Sequence, residues 1–223
     1  MLLLEPLKKL FRPVVKTPAQ KLTEARVMLL AWIAQTQAEL VDCEDELYAM
    51  SERDSIAGWQ AQVEQIEYLL IHPEICNADG LENLLREKFR IYNVLDSSLA
   101  ALPAFDEDED EIDWDTMPAM ERSQRVAVRQ YHDRQFVIHH QLNLIAQLAG
   151  VSARRVHDVL HILTAHYTPV EDRPLRKNEV AATYFPMIRA WMDGERGSIQ
   201  DLPIPAEFSA WMPEHESLFP VLI

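Results

Sequence analysis

The sequence predicts an all-α protein, and three observations carry that expectation. Glycine is scarce, with 5 in 223 residues, and the Asn-Gly and Asp-Gly pairs that supply positive φ in tight hairpins hardly occur. Apolar residues recur at three- and four-residue spacing through several long segments, which is the period of a helix rather than a strand. One stretch, residues 119–149, runs without any glycine or proline. Apolar residues make up 48% of the chain, enough at this length to build a substantial core and too many for a disordered polypeptide.

Taken in order, residues 2–15 form an amphipathic element, with Leu3, Leu7, Leu10, Phe11, Val14 and Val15 set against Lys8, Lys9, Arg12 and Lys16. Such a stripe docks on the protein's own core or on a partner; a membrane-surface helix is the alternative, weakened by the interruption at Pro13. Thr17-Pro18 is a helix start, a hydroxyl cap followed by proline at the first helical position. From there to about residue 50 the apolar positions Leu22, Leu29, Ile33, Leu40, Cys43, Leu47 and Met50 fall at heptad spacing. Ser51 offers the cap of a second helix, with Ile56, Trp59, Val63, Ile66, Leu69 and Leu70 inward and Pro73 beyond its end. The two together make an antiparallel hairpin of the kind that pairs helices within a chain or between subunits. Its acidic face, Asp42, Glu44, Asp45 and Glu46, reads as solvated.

Asp79-Gly80 resets the chain, and residues 81–102 read as a third helix with Leu84, Leu85, Phe89, Ile91, Val94 and Leu95 inward and Pro103 closing it. In residues 106–115 eight of ten side chains are acidic, so mutual repulsion favours a linker over a helix. This divides the chain into an N-terminal unit (1–104), an acidic linker (105–117) and a C-terminal unit (118–223). An alternative role for the acidic run is to compete with nucleic acid for the basic stretch that follows it. Thr116-Met117-Pro118 restarts a helix running from Ala119 to Ala149. Residues 168–177 read as a loop, Asn178 caps a helix to about residue 193, and Gly194 ends it. The proline-punctuated tail, 195–223, is apolar enough to wrap across its own domain or lie in a partner's groove.

Charge is unevenly spread. The net charge is −15, yet residues 41–120 alone hold 21 acidic side chains against 4 basic ones. Whole-chain acidity opposes non-specific binding to nucleic acid, where phosphate attraction dominates. From 122 to 155, however, there are six arginines and a single acidic residue, Asp133. No apolar run reaches the ~20 residues that span a bilayer, and the first sixteen residues lack the order of a secretory leader. Cys43 and Cys76 have neither metal-ligand spacing nor a disulfide framework. The expectation is a soluble cytoplasmic protein with two reduced, buried thiols.

The stretch from Leu142 to His161 carries one pattern with a mechanism. Ala146 is small where two helices cross closely, and Gly150 stands where a turn wants positive φ. Ile145, Ala149, Val151, Val156 and Val159 supply buried faces, and Ser152 can cap the second helix. This pattern resembles the helix-turn-helix unit of bacterial repressors, across about 20 of the 223 residues. Joined to the N-terminal hairpin read above, it gives the expected architecture: an N-terminal helical hairpin or bundle plus a C-terminal helix-turn-helix-like domain. The resemblance implies that the second helix enters the major groove of double-stranded DNA with Ser152, Ala153, Arg154 and Arg155 at its exposed front. Arg122, Arg125, Arg129 and Arg134 on the preceding helix, with Arg173, Arg176 and Lys177 from the following loop, become backbone contacts. The N-terminal helices then dimerise the protein to place two such helices on half-sites.

No phosphate-cradling glycine loop and no nucleophile elbow are present, and the carboxylates are crowded into a run rather than spaced for catalysis. His157 and His161 share a helical face, with His166 following, but lack the neighbouring Glu of a metalloprotease; they read as solvent-facing or capping, and His139 and His140 point to different faces. The five tryptophans read as anchors of cores or interfaces. No catalytic residue, cofactor or metal is therefore expected. The reading from a different class is a structural or adaptor subunit of a larger complex, supported by the acidity, the amphipathic start and the apolar tail.

Overall fold

The computed structural model describes residues 16–103, 116–167 and 175–204, without the side chains of 165–167 and 175–181. The amphipathic start, the acidic run, most of the loop after residue 167 and the apolar end of the tail lie outside the described residues. Among those described, every regular element is helical: α1 (Pro18–Glu39), α2 (Glu46–Ile71), α3 (Ala78–Ala100), α4 (Ala119–Ala149), α5 (Ala153–Tyr167) and α6 (Leu175–Met192), with single 3-10 turns at Pro73–Ile75 and Ile199–Asp201.

Local chemistry sets the helix ends. Thr17 and Gln20 form a reciprocal capping box, the Gln20 N–H donating to Thr17 Oγ1 at 3.2 Å and the Thr17 N–H to Gln20 Oε1 at 2.9 Å. Helix α1 stops at Glu39 rather than continuing to residue 50. Asp45, not Ser51, caps α2 by accepting from the Tyr48 N–H at 3.0 Å. An unbroken heptad spacing hid this turn, and Leu47 and Met50, placed inward by that spacing, are exposed. Ile91 and Val94 of α3 are also exposed rather than inward. Helix α4 spans the predicted 119–149, whereas α6 begins at Leu175, ahead of Asn178.

Long-range contacts fix the packing. Arg26 of α1 pairs with Glu67 of α2 at 2.6 Å, and Trp32 meets Trp59 with ring centroids 5.6 Å apart, so α1 and α2 run antiparallel. Lys88 donates to Gln141 at 2.7 Å and Gln135 donates to Asp96 at 3.1 Å, which makes α3 and α4 antiparallel as well. Helix α4 lies against both α2 and α3, and α5 packs on α3, α4 and α6. Gly58 of α2 is the close point: a Cβ there would run into the imidazole of His140 on α4.

The helices on either side of residues 104–115 share one core. Leu22 and Leu29 of α1, Ile66 and Leu69 of α2, Leu85 and Phe89 of α3, Leu142 and Ile145 of α4, Val156 and Ile162 of α5 and Trp191 of α6 belong to the same buried cluster. The described helices before and after residues 104–115 thus contribute to one buried cluster. Both α3 and α4 must bury broad apolar faces, and each completes the other's.

The chain after α6 is pinned to α3. Gly194, at φ 84°, turns it back. One carboxylate, Glu82, then accepts from the Trp191 indole at 2.6 Å, the Ile199 N–H at 2.9 Å and the Ser198 hydroxyl at 3.1 Å. Arg86 donates to the Arg196 carbonyl at 2.9 Å, and Arg90 to that of Met192. Ile199, Leu202 and Ile204 are buried there, consistent with a tail that wraps its own domain as far as residue 204.

Candidate functional site

The Gly150 corner is built as a tight helix-to-helix turn. Gly150 sits at φ 70°, ψ 22°, its N–H turned back to the last carbonyls of α4, and the Val151 N–H bonds to the Ala146 carbonyl at 2.8 Å. An L-residue with a side chain rarely adopts that φ, which is why glycine is needed here. Ser152 caps α5, accepting the Arg155 N–H on its hydroxyl at 3.2 Å. Ile145, Ala146, Val151, Val156 and Val159 are buried, and Ala149 is half-buried.

The front of α5 departs from the expected exposure. Ser152 and Arg154 are exposed, but Ala153 and Arg155 are half-buried, and Arg155 Nη1 is enclosed with no hydrogen-bond partner among the described residues. From Arg155 to Thr164 no residue is exposed. Asp158, one turn beyond Arg154, retains 4% of its surface. His157, expected outside, is half-buried with its ring edge-on to His139, centroids 5.2 Å apart. The reason is packing: α5 is held by α3, α4 and α6, and through Thr164 only Ser152 and Arg154 at its start are exposed.

The remaining arginines do not gather at the corner. Arg122, Arg129 and Arg134 are exposed and Arg125 is half-buried, its guanidinium 3.1 Å from the Glu121 carboxylate. At 1.5 Å per residue, Arg122, Arg125 and Arg129 lie about 30–40 Å along α4 from Gly150, several times the width of a major groove. Arg173 lies outside the described residues. Arg176 and Lys177 belong to the first turn of α6 rather than to a loop. The corner is instead bordered by α3 and the returning chain, where Ala149, Asp79, Glu82, Asn83, Arg86, Gly197 and Ser198 line one concavity and Gln200 donates to the Gly150 carbonyl at 3.2 Å.

Two features were not anticipated from the sequence. The first is a histidine cluster at the α4–α5 crossing. Burial, helped by His157 and His140, pushes His139 down to about 4, and burial alone takes His140 to about 4, where Phe136 covers its ring. Both are neutral near pH 7. Neighbouring buried polar groups, Asp96 and Gln135, pair with each other across α3 and α4. No group of three His, Cys, Asp or Glu side chains arranged to hold a metal ion occurs among the described residues. Cys43 and Cys76 are half-buried free thiols.

The second feature is the outer face of α1. Leu22, Ala25, Leu29, Ile33 and Thr36 are buried on the inner side. On the opposite side Val27 is 61% and Leu30 39% exposed, and just past the helix Val41 is 78% exposed. Ala31, Ala34 and Ala38 are exposed between them. At 3.6 residues per turn these five helical positions fall within a roughly 100°-wide arc. Its signal in the sequence is a second apolar phase, offset from the inner one. No described helix is long and apolar enough to cross a membrane. Compared with protein-family models, curated proteins and solved structures, the chain matches none.

Proposed function

We propose that this chain is a protein-binding subunit or adaptor, and that the outer face of α1 is its docking surface. One observation carries the reading: α1 is apolar on two opposite sides, and among the described residues only one of them is covered. A surface helix of a self-sufficient domain needs one apolar side. A contiguous apolar strip left in water costs solubility and is retained where a partner covers it. The packing of α5 supports the same reading, since from Arg155 to Thr164 it presents no exposed residue. The test is purification of the tagged full chain from its native cells beside Val27→Asp and Ala34→Glu. A stoichiometric protein, including a second copy, that both variants lose is the expected result; identical co-purification by all three overturns the reading.

A second reading, binding to double-stranded DNA, has one specific observation in its favour. Gly150 makes a sharp corner between two helices, with Arg154 exposed one residue into the following helix. Gel retardation at low salt by the wild type, lost in Arg154→Ala/Arg155→Ala, is what this reading requires. No retardation at low salt removes it.

A further inference from the structure

We infer that the occupant of the α1 outer face is the α1 of a second copy, packed antiparallel about a two-fold axis passing at Ala34. The inference rests on the docking role proposed above and names the partner.

Spacing is the first argument. Val27, Ala31, Ala34 and Ala38 follow one another along α1 at four-, three- and four-residue steps, the alternation that keeps a seam facing a partner helix. A two-fold at Ala34 sets Leu30 against Ala38 of the copy, a large side chain over a small one, with Ala34 against its own equivalent, and brings Val27 toward the turn of the copy that holds Val41. The same patch serves both copies, as an isologous interface requires. Alanines along the seam let the two backbones approach closely.

Charge selects the direction. The start of α1 holds Lys16, Lys21 and Arg26 with one acidic residue, Glu24, and its end and the turn after it hold Glu39, Asp42, Glu44 and Asp45 with no basic residue. A parallel pair stacks like charge on like at both ends. The antiparallel pair sets the basic start of one copy toward the acidic end of the other and opposes the two helix dipoles favourably. Lys16 pairs with Glu24 and Arg26 with Glu67 within the chain, so the attraction between the ends is modest and falls with salt. The seam runs about 20 Å, short beside the ~800 Å² per partner of a standard stable interface. Association is therefore reversible and concentration-dependent.

The experiment uses the full chain. Sedimentation velocity over a wide concentration range follows the mass of wild type and Ala34→Glu, with helicity checked by circular dichroism. The expected result is a wild type that shifts toward twice the monomer mass and an Ala34→Glu variant that stays monomeric. In a Cys43→Ser/Cys76→Ser background, Ala34→Cys should oxidise to a linked dimer. Val27→Cys should not link to itself but should link to Val41→Cys when the two proteins are mixed. This arm decides the matter even if Ala34→Glu fails to fold. A wild type that is monomeric throughout, a dimer indifferent to Ala34→Glu, or Val27→Cys linking to itself overturns the inference. A monomer whose different protein partner is lost on Ala34→Glu overturns self-pairing alone and leaves the adaptor reading standing.

Discussion

The imidazole of His157, on α5, stands edge-on to that of His139, on α4, with centroids 5.2 Å apart. The contact lies where the two helices cross, beside the ring of His140. His139 and His140 are held neutral, each near 4 against an ordinary 6.5, chiefly by burial. Above 6.5 folded and unfolded chains are both neutral at these rings, and they contribute no pH dependence. As pH falls from 6.5 toward 4 only the unfolded chain takes up protons, so stability declines by roughly 1.4 kcal/mol per pH unit for each ring. Urea unfolding at about pH 7 and about pH 5 should show this loss. In His140→Asn the drop between the two pH values should shrink by about half; an unchanged drop would place its source elsewhere.

Glu82 anchors the chain after α6. Its carboxylate takes hydrogen bonds from Trp191, Ser198 and Ile199 and lies 3.9 Å from Arg86. Glu82→Ala strands the Trp191 indole and the Ile199 N–H where they are largely shielded from water. Unpartnered groups of this kind cost about 1–3 kcal/mol each, so a loss of about 3 kcal/mol is expected. Glu82→Gln, which keeps an acceptor oxygen, should lose less. Hydrogen exchange at Ile199 and Leu202 should speed in Glu82→Ala well before exchange in α1 does.

Two glycines separate two kinds of constraint. At Gly58 an added Cβ meets the His140 ring, so Gly58→Ala overpacks the α2–α4 contact and should cost about 1–3 kcal/mol. That cost should fall when His140→Ala is combined with it. At Gly150 an added Cβ meets nothing, but φ is 70°. Gly150→Ala should therefore cost about 1 kcal/mol of backbone strain, with no neighbouring substitution able to relieve it. Chemical denaturation of the four variants checks both statements; relief of Gly58→Ala by nothing at position 140 would reject the steric account.

Which of these features the sequence disclosed follows from how local they are. Thr17, Gly150, Ser152 and the uninterrupted span of α4 were legible because caps and turns are decided by residues a few positions apart, whereas the return bond of Gln20 to Thr17 was not read. The end of α1 was not, because Asp45 acts as a cap only once the chain has turned, and the apolar phase continued through the turn. Exposure of α5 was misjudged for a deeper reason. Periodicity gives the side of a helix that is apolar, but not how many neighbours cover the rest, and Asp158 and His157 were enclosed by helices distant in sequence. The acidic run marked a change of composition, yet α3 and α4 on its two sides share a core that no local pattern records.

Asp96 offers a final test, with the opposite sign to the histidines. It is buried at 8% exposure, accepts from Gln135 Nε2 at 3.1 Å, and its carboxyl is raised above the usual range, mainly by burial, with Gln135 and His132 pulling it partly back. A carboxyl group whose folded pKa is raised stabilises the fold when protonated and weakens it as pH rises past the ordinary 3.8. Asp96→Asn keeps an oxygen for Gln135 and removes the charge that burial penalises. The variant should be more stable than wild type at about pH 7. The gain should vanish below the pH at which wild-type Asp96 is itself protonated. Thermal melts across that range decide it: a variant less stable at neutral pH would show that the ionised carboxylate holds a partner worth more than its burial costs.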